Sequence, residues 1–595
     1  MRFSTCLSAL AIAAGLVSAA HHSGRSLKHV GKADKPRNHV KRGQPQGQQQ
    51  TRRDTSRYLT NSSSKYVVNG TAIPEVDFDI GESYAGLMPI SKEKNETREL
   101  YFWFFPSENT EASDEILIWL NGGVSTRNFM CYSGNSFCGL ANRKLVTQRA
   151  NEILQPGCSS LEGVLQENGP FLWQYGTVKP VSNPYTWVNL TNVVWVEQPV
   201  GTGFSQGTPS ATSETDVAEQ FLGFWKNFMD TFDLKGRKVF ITGESYAGYY
   251  VPYIADAMLN KNDTKYFNVE ATMIYDPSTS SDVIQDQIPA VQFVDYWGGL
   301  FPFNDTFKAQ IHNMSASCGY DDYISKYLTF PPPGLFPVEL PGTDETGFTT
   351  AECDVFDAIY NEVFYVNPCW DIYQVATTCP ELWDVLGFPG SFDYVPAGAE
   401  VYFNRTDVQK AINAPLIDWN ECTNTEVFVN GQDNSPPSGL SVLPGVIERS
   451  KRTVIGHGAL DMVLISNGTL LMINNMTWNG AQGFQSKPSD PFYVPYHSEG
   501  YSPDLGQSDP ALSVVAASGI FGTTHTERGL TWVSVDLSGH MIPQYAPTAS
   551  YRTLEFLLGR VDSLSSTAPF TTDNTTQPDG PLGNGTGPPT RKMKV

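Results

Sequence analysis

The 595-residue chain is long enough for one large domain carrying an insertion, or for two ordinary domains. Its 40% hydrophobic and 12% aromatic content supports a packed core and excludes a wholly disordered protein. A formal charge of -22, with a pI near 4.8, repels nucleic-acid phosphates and argues against a DNA or RNA partner.

The N-terminus reads as a secretory signal over residues 1–20. Arg2 supplies the positive start, Leu7 to Val17 a short apolar run, and Ser18-Ala19-Ala20 the small residues of a cleavage site. The run is too short for a membrane span, and no other stretch is long enough. The C-terminus lacks the hydrophobic tail of a lipid-linked anchor, so no membrane anchor is expected. Residues 21–54 are basic, rich in Gln and Gly, and carry Lys41-Arg42 and Arg52-Arg53 pairs, which suggests a propeptide or a disordered segment. Sequons at Asn61, Asn69, Asn95, Asn189, Asn262, Asn304, Asn313, Asn404, Asn467, Asn475, Asn574 and Asn584 point to N-linked glycans on a protein of the secretory pathway, secreted or vacuolar.

Folded structure is evident from Tyr84 onward. Leu100 to Phe105, Ile116 to Leu120 and Val193 to Val196 are short apolar runs that read as buried strands. Val217, Phe221, Phe224, Trp225 and Phe228 then recur at helical spacing behind Thr215 and Asp216 as possible caps. Lys238 to Thr242 is a strand again, and later strands fall at Arg452 to Gly456 and Trp532 to Val535, with a helix starting near Pro547. This alternation implies an α/β fold with a mostly parallel sheet. The rhythm breaks over about 285–400, where Pro, aromatics and Cys suggest an inserted cap. The catalytic domain is expected over 55–562, followed by a disordered tail, rich in Thr, Pro and Gly, over 563–595.

Gly243-Glu244-Ser245-Tyr246-Ala247-Gly248 lies between a strand and a helix, the setting of a nucleophile elbow. A Ser at such a turn is held up for attack, and the N–H of Tyr246 faces the developing oxyanion. The strict pattern has Gly where this chain has Ala247. An acid and a His should follow in that order. Asp461 and His540 both lie just past strands, where catalytic groups of such sheets belong.

Together with Glu197-Gln198-Pro199-Val200-Gly201-Thr202-Gly203-Phe204-Ser205, Trp119-Leu120-Asn121-Gly122-Gly123 and Gly539-His540-Met541-Ile542-Pro543, this elbow resembles the serine carboxypeptidases from about residue 80 to 560. The resemblance implies an α/β-hydrolase fold with a mixed, mostly parallel central sheet and a Cys-containing cap. It also implies release of C-terminal amino acids from peptides and proteins through an acyl-enzyme. Ser245 would be the nucleophile, His540 the base and acid, and Asp461 its orienting carboxylate. Gly123 and Tyr246 would form the oxyanion hole. Asn121, Glu167 and Glu244, with Trp119, would bind the substrate carboxylate, and Met541 would line the pocket of the leaving residue. Two Glu beside a carboxylate work only if one is protonated, so activity should favour acidic pH. The family often has Asp where this chain has Ala459. The alternatives are an acyltransferase or lyase of the same type, or an inactive binding protein.

One departure is large. The family's Asn-Gly-Gly-Pro-Gly-Cys-Ser-Ser run is interrupted between Gly123 and Pro156 by the 32 residues Val124 to Gln155. Val124-Ser125 can be encoded by GTGAGT, Ala150-Asn151 by GCTAAC and Gln155 by CAG: a donor, a branch point and an acceptor. Residues 124–155 are therefore read as an unspliced intron, against the alternative of a loop closed by a Cys131–Cys138 disulfide. Without Cys6, Cys131 and Cys138, six cysteines remain. The resemblance implies a Cys158–Cys422 pair and leaves three pairings open among Cys318, Cys353, Cys369 and Cys379. No Cys-x-x-Cys or His-Glu-x-x-His pattern occurs, so neither a metal site nor a cofactor is expected.

Overall fold

In a computed structural model, residues 56–125, 154–380, 382–387, 399–495 and 518–572 are described. The expected signal and basic segments lie outside these residues, as do Cys131, Cys138 and the chain beyond Thr572. The architecture is set by eleven strands: β1 (Val67–Val68), β2 (Ser83–Pro89), β3 (Glu99–Phe105), β4 (Glu115–Leu120), β5 (Val193–Glu197), β6 (Lys238–Glu244), β7 (Asn268–Tyr275), β8 (Arg452–Gly458), β9 (Asp490–Val494), β10 (Gly519–Glu527) and β11 (Leu530–Val535). They form one sheet in the order β1-β2-β3-β5-β4-β6-β7-β8-β11-β10-β9. The six strands from β5 through β11 in that order are mutually parallel, and the flanking pairs are antiparallel.

The central strands read as unbroken apolar runs because both faces of the sheet are covered. On β4, Ile116, Ile118 and Leu120 join the core beneath α1 (Glu214–Thr231) and α2 (Ala247–Lys261), while Leu117 and Trp119 join the opposite core beneath the helix Pro547–Leu557. The period of two has thus sorted one run into two cores. Helix α1 buries the predicted stripe Val217, Phe221, Phe224, Trp225 and Phe228. Its start differs from the expectation. Ser213 is the N-cap, and Asp216 sits in the first turn, where its Oδ2 accepts from the Thr212 N–H (2.8 Å) and hydroxyl (2.7 Å).

The expected cap contains α3 (Ala290–Tyr296), α4 (Asp305–Ser317), α5 (Tyr320–Tyr327) and α6 (Val355–Val366), stapled by Cys318–Cys353 and Cys369–Cys379. These two bridges resolve the open pairings, and Cys158–Cys422 forms as the resemblance implied. Residues 563–572, assigned to the disordered tail, are instead packed. Phe570 is buried against Tyr551, and the carbonyls of Ser566 and Ala568 each accept from Arg552 Nη2 at 3.0 Å. Two apolar side chains, Leu564 and Phe570, supply the burial that a Thr- and Pro-rich composition concealed. Among the described residues no helix is long and apolar enough to cross a membrane.

Candidate active site

Ser245 follows β6 directly and opens into α2 through a φ of 64°, a strained value for a residue with a Cβ. The turn is held by the Ser245 N–H donating to the Tyr275 carbonyl (3.0 Å) and by the Ser245 carbonyl accepting from Gly248 (2.9 Å) and Ser278 (3.0 Å). Glycine is obligatory on both sides. A Cβ on Gly243 would lie 2.4 Å from the Leu120 carbonyl oxygen and 2.7 Å from the Ala247 Cβ, and one on Gly248 would lie 2.2 Å from the Ser278 oxygen. Ala247 fits in place of the pattern's Gly because residue 243 has no side chain for it to meet.

His540 Nδ1 and Asp461 Oδ2 are 2.8 Å apart, both residues buried. Asp461 Oδ1 accepts from the amides of Val463 (2.8 Å) and Leu464 (3.4 Å), which fixes the carboxylate so that Oδ2 faces the imidazole. The His540 N–H donates to the Tyr373 carbonyl (2.8 Å), and the Tyr373 ring stands edge-on to His540 at 5.2 Å. Burial pulls the His540 pKa down, but the Asp461 and Asp276 carboxylates outweigh it and leave the imidazole above its ordinary value. Ser245 Oγ donates to the Gly123 carbonyl at 3.4 Å rather than to His540, whose Nε2 has no hydrogen-bond partner among the described residues. Catalytic hydrogen bonds are commonly loose before substrate binds.

Ser245, His540 and Met541 face an open cleft with an empty volume of about 390 Å³, which they share with Asn121, Gly122, Gly123 and Glu244. At one end Trp119 Nε1 donates to Asn121 Oδ1 (2.8 Å), which turns the Asn121 amide so that its Nδ2 reaches Glu167 (2.8 Å) and Glu244 (3.0 Å). Carboxylate oxygens of Glu167 and Glu244 also lie within 4.8 Å of one another, and a buried pair this close favours a proton on one of them. Burial pushes Glu167 up to about 7, and burial together with the Glu167 charge holds Glu244 well above the carboxylate range. The short helical segment Gly163–Glu167 reaches Trp119 because residue 163 is Gly; a Cβ there would lie 2.4 Å from Trp119 Nε1 and 2.9 Å from Asn121 Oδ1. Gly163→Ala should therefore raise the KM for peptides and lower stability by about 1–3 kcal/mol. Thermal unfolding and steady-state kinetics on the one variant check both.

The site thus gathers Trp119, Asn121, Gly123, Glu167, Glu244, Ser245, Asp461, His540 and Met541 around one cleft, with Tyr246 at the N-terminus of α2. Sequence reasoning missed Glu162, Tyr175, Tyr373 and Glu421, which also line it. Only Glu162, two residues past Ser160 in the interrupted motif, carried a signal. The Cys158–Cys422 bridge brings Glu421, which follows the cap in sequence, to the cleft.

Gly123–Ser125 and Leu154–Pro156 form a two-stranded ribbon in which Gly123 pairs with Pro156. The Gly122 carbonyl accepts from both Gly157 and Cys158 at 3.2 Å. The two halves of the interrupted motif therefore meet side by side at the base of the intervening segment.

A mostly parallel sheet with a strand-Ser-helix elbow and an acid–imidazole pair at its carboxyl edge defines an α/β hydrolase. Residues 74–126 and 155–559 match the serine carboxypeptidase family, leaving out 127–154. The chain is 57% identical over 552 residues to a probable serine carboxypeptidase of Arthroderma benhamiae, covering 91% of this chain and 95% of that one. It is 45% identical over 524 residues to serine-type carboxypeptidase F of Aspergillus niger, covering 85% and 89%. The crystal structure of Kex1(Δ)p, a prohormone-processing carboxypeptidase from Saccharomyces cerevisiae, superposes with a TM-score of 0.61 at 22% identity over 85% of this chain and 99% of that one, a likeness of fold. The chain belongs to the serine carboxypeptidase family and is a serine-type carboxypeptidase.

Proposed function

We propose that the enzyme removes single residues from peptide C-termini at acidic pH, with Ser245, His540 and Asp461 as its triad. The observation that carries this reading is the Asn121 amide set between two buried carboxyl groups in the cleft of Ser245 and His540. A protonated Glu, and Asn121 Nδ2 once the incoming carboxylate replaces one of its two Glu partners, are donors for the terminal carboxylate, which places the last peptide bond over Ser245. Ser245 Oγ attacks that carbonyl as His540 Nε2 takes its proton. His540 then protonates the leaving amine, and water, deprotonated by the same nitrogen, releases the acyl group. The N–H groups of Tyr246 and Gly123 receive the oxyanion, and Met541 lines the pocket of the departing side chain.

The pH dependence follows from the direction of the shifts. A carboxyl group whose pKa is raised to about 7 is protonated below that pH and loses its donor as pH rises through it. KM for an N-blocked dipeptide should rise ~10-fold between about pH 6 and about pH 8, while sulfonylation of Ser245 by phenylmethanesulfonyl fluoride, which presents no carboxylate, should not weaken with it. A KM that stays flat across this range contradicts the assignment of Glu167 and Glu244.

The same reading places the enzyme in the secretory pathway, secreted or vacuolar, with N-linked glycans. Exposure of Asn61, Asn69, Asn95, Asn189, Asn262, Asn304 and Asn313 supports the glycans; Asn404, Asn467 and Asn475 are half-buried. Residues 124–155 are proposed to be intron-encoded. The gap in the family match and the pairing of Gly123 with Pro156 both support that reading.

A further inference from the structure

A second carboxylate–imidazole pair lies behind the first. Asp276 follows β7 with a φ of 42°, and His457 sits on β8; both side chains are fully buried. Asp276 Oδ1 accepts from the Gly458 N–H (2.8 Å) and lies 2.9 Å from His457 Nδ1. The Asp276 N–H donates to the Gly456 carbonyl at 2.9 Å. These contacts fasten the end of β7 to the last residues of β8, where the loop to Asp461 begins. Asp276, Asp461 and His540 each bring a polar atom within 4.8 Å of the others. Asp276 Oδ2 and His457 Nε2 have no hydrogen-bond partner among the described residues. Two ionised carboxylates this close and this buried repel strongly unless cations compensate both. His540 compensates Asp461, and the group placed to compensate Asp276 is His457.

We propose that Asp276 and His457 form a positioning pair for the carboxypeptidase reaction, which holds the loop carrying Asp461 and sets how readily His540 takes up a proton. The inference rests on His540 being the base. The surrounding charges agree with it. Burial pulls His457 down, but Asp276 and Asp461 together raise it above its ordinary value, while burial pushes Asp276 up to about 6 against the pull of His457. Glu167 also faces His540, Glu244 at the end of β6 and Tyr275 on β7 face Asp276, and Tyr545 faces Asp461. No cation other than the two imidazoles is among these groups. A negative charge on Asp276 favours the His540 imidazolium, so removing it lowers the pH at which His540 titrates.

Asp276→Asn keeps an oxygen for the Gly458 N–H and removes the charge. In ¹⁵N-histidine spectra of the full-length chain, the His540 midpoint should fall by about half a pH unit or more. An unmoved midpoint in a folded variant overturns the proposal, since a merely structural role leaves titration alone. Should the variant not fold, the unmodified chain decides: His457 is expected to carry protons on both nitrogens at about pH 5.5, and a neutral His457 there overturns the pair. The acid limb of Ser245 sulfonylation should move in the same direction as the His540 midpoint. If Ser245 is sulfonylated in neither protein, the triad reading fails, while the His540 midpoint still judges the pair.

Discussion

A chain lacking residues 124–155 is expected to release C-terminal amino acids ~10²–10³-fold faster than the full-length chain, the usual effect of one oxyanion donor. The argument is geometric. In the full-length chain the Gly123 carbonyl faces Ser245 Oγ at 3.4 Å, on the side where an N–H is needed. Val124 places no restriction on the backbone of Gly123. In the shortened chain Gly123 is bonded to Pro156, so the ribbon that now sets its orientation is lost, and the proline ring alone confines the residue before it. The join is short, because Gly123 and Pro156 already pair across the ribbon. The strand from Pro156 is anchored independently by Cys158–Cys422 and by Ser160 Oγ accepting from the Asn121 N–H at 3.1 Å. Removal is therefore expected to leave Asn121, Glu167 and Glu244 in place and to change the proposed oxyanion side. Equal activity of the two forms, both folded, would show that the segment is a tolerated part of the enzyme. Transcripts that retain it in most copies would say the same of the gene.

Ser245→Ala is expected to reduce kcat by ~10⁴-fold or more, and His540→Ala by a similar factor. Asp461 Oδ1 is occupied by two backbone amides and Oδ2 by His540 Nδ1, so the imidazole is held with Nε2 toward the cleft. On the proposed triad the three groups should act as one unit, and the double variant Ser245→Ala/His540→Ala should be no slower than either single one. Steady-state kinetics on the three proteins check this, and losses that multiply would mean that the residues act independently. Asp461→Asn keeps the shape but offers an amide where His540 Nδ1–H needs an acceptor, and it should fall in the same range.

Much of this was legible beforehand because the relevant physics is local. Strand runs such as Ile116 to Leu120 are apolar throughout since both faces are covered, and the α1 stripe repeats at helical spacing. The elbow was visible because only glycine fits at 243 and 248. The residues that escaped notice reach the cleft through tertiary paths with no local pattern. Tyr373 comes from the cap, Glu421 comes by way of a bridge spanning 264 positions, and Gly163 matters only because a π-helical turn lies against Trp119. His457 stood in view beside Asp461, yet its meaning depends on Asp276, 181 positions earlier and joined to it only by the pairing of β7 with β8. The packed tail to Thr572 was hidden for the opposite reason: its composition is that of a linker, and two side chains decide its fate.

The most direct test of the central claim is release of the last residue from N-blocked dipeptides at about pH 6.5, set against the same dipeptides with an amidated C-terminus. It would use the shortened chain and its Ser245→Ala variant. The account predicts rapid cleavage of the free acids, slow cleavage of the amides and none by the variant. Equal cleavage of acids and amides would contradict carboxylate recognition by Asn121, Glu167 and Glu244, and activity surviving in the variant would contradict the triad itself.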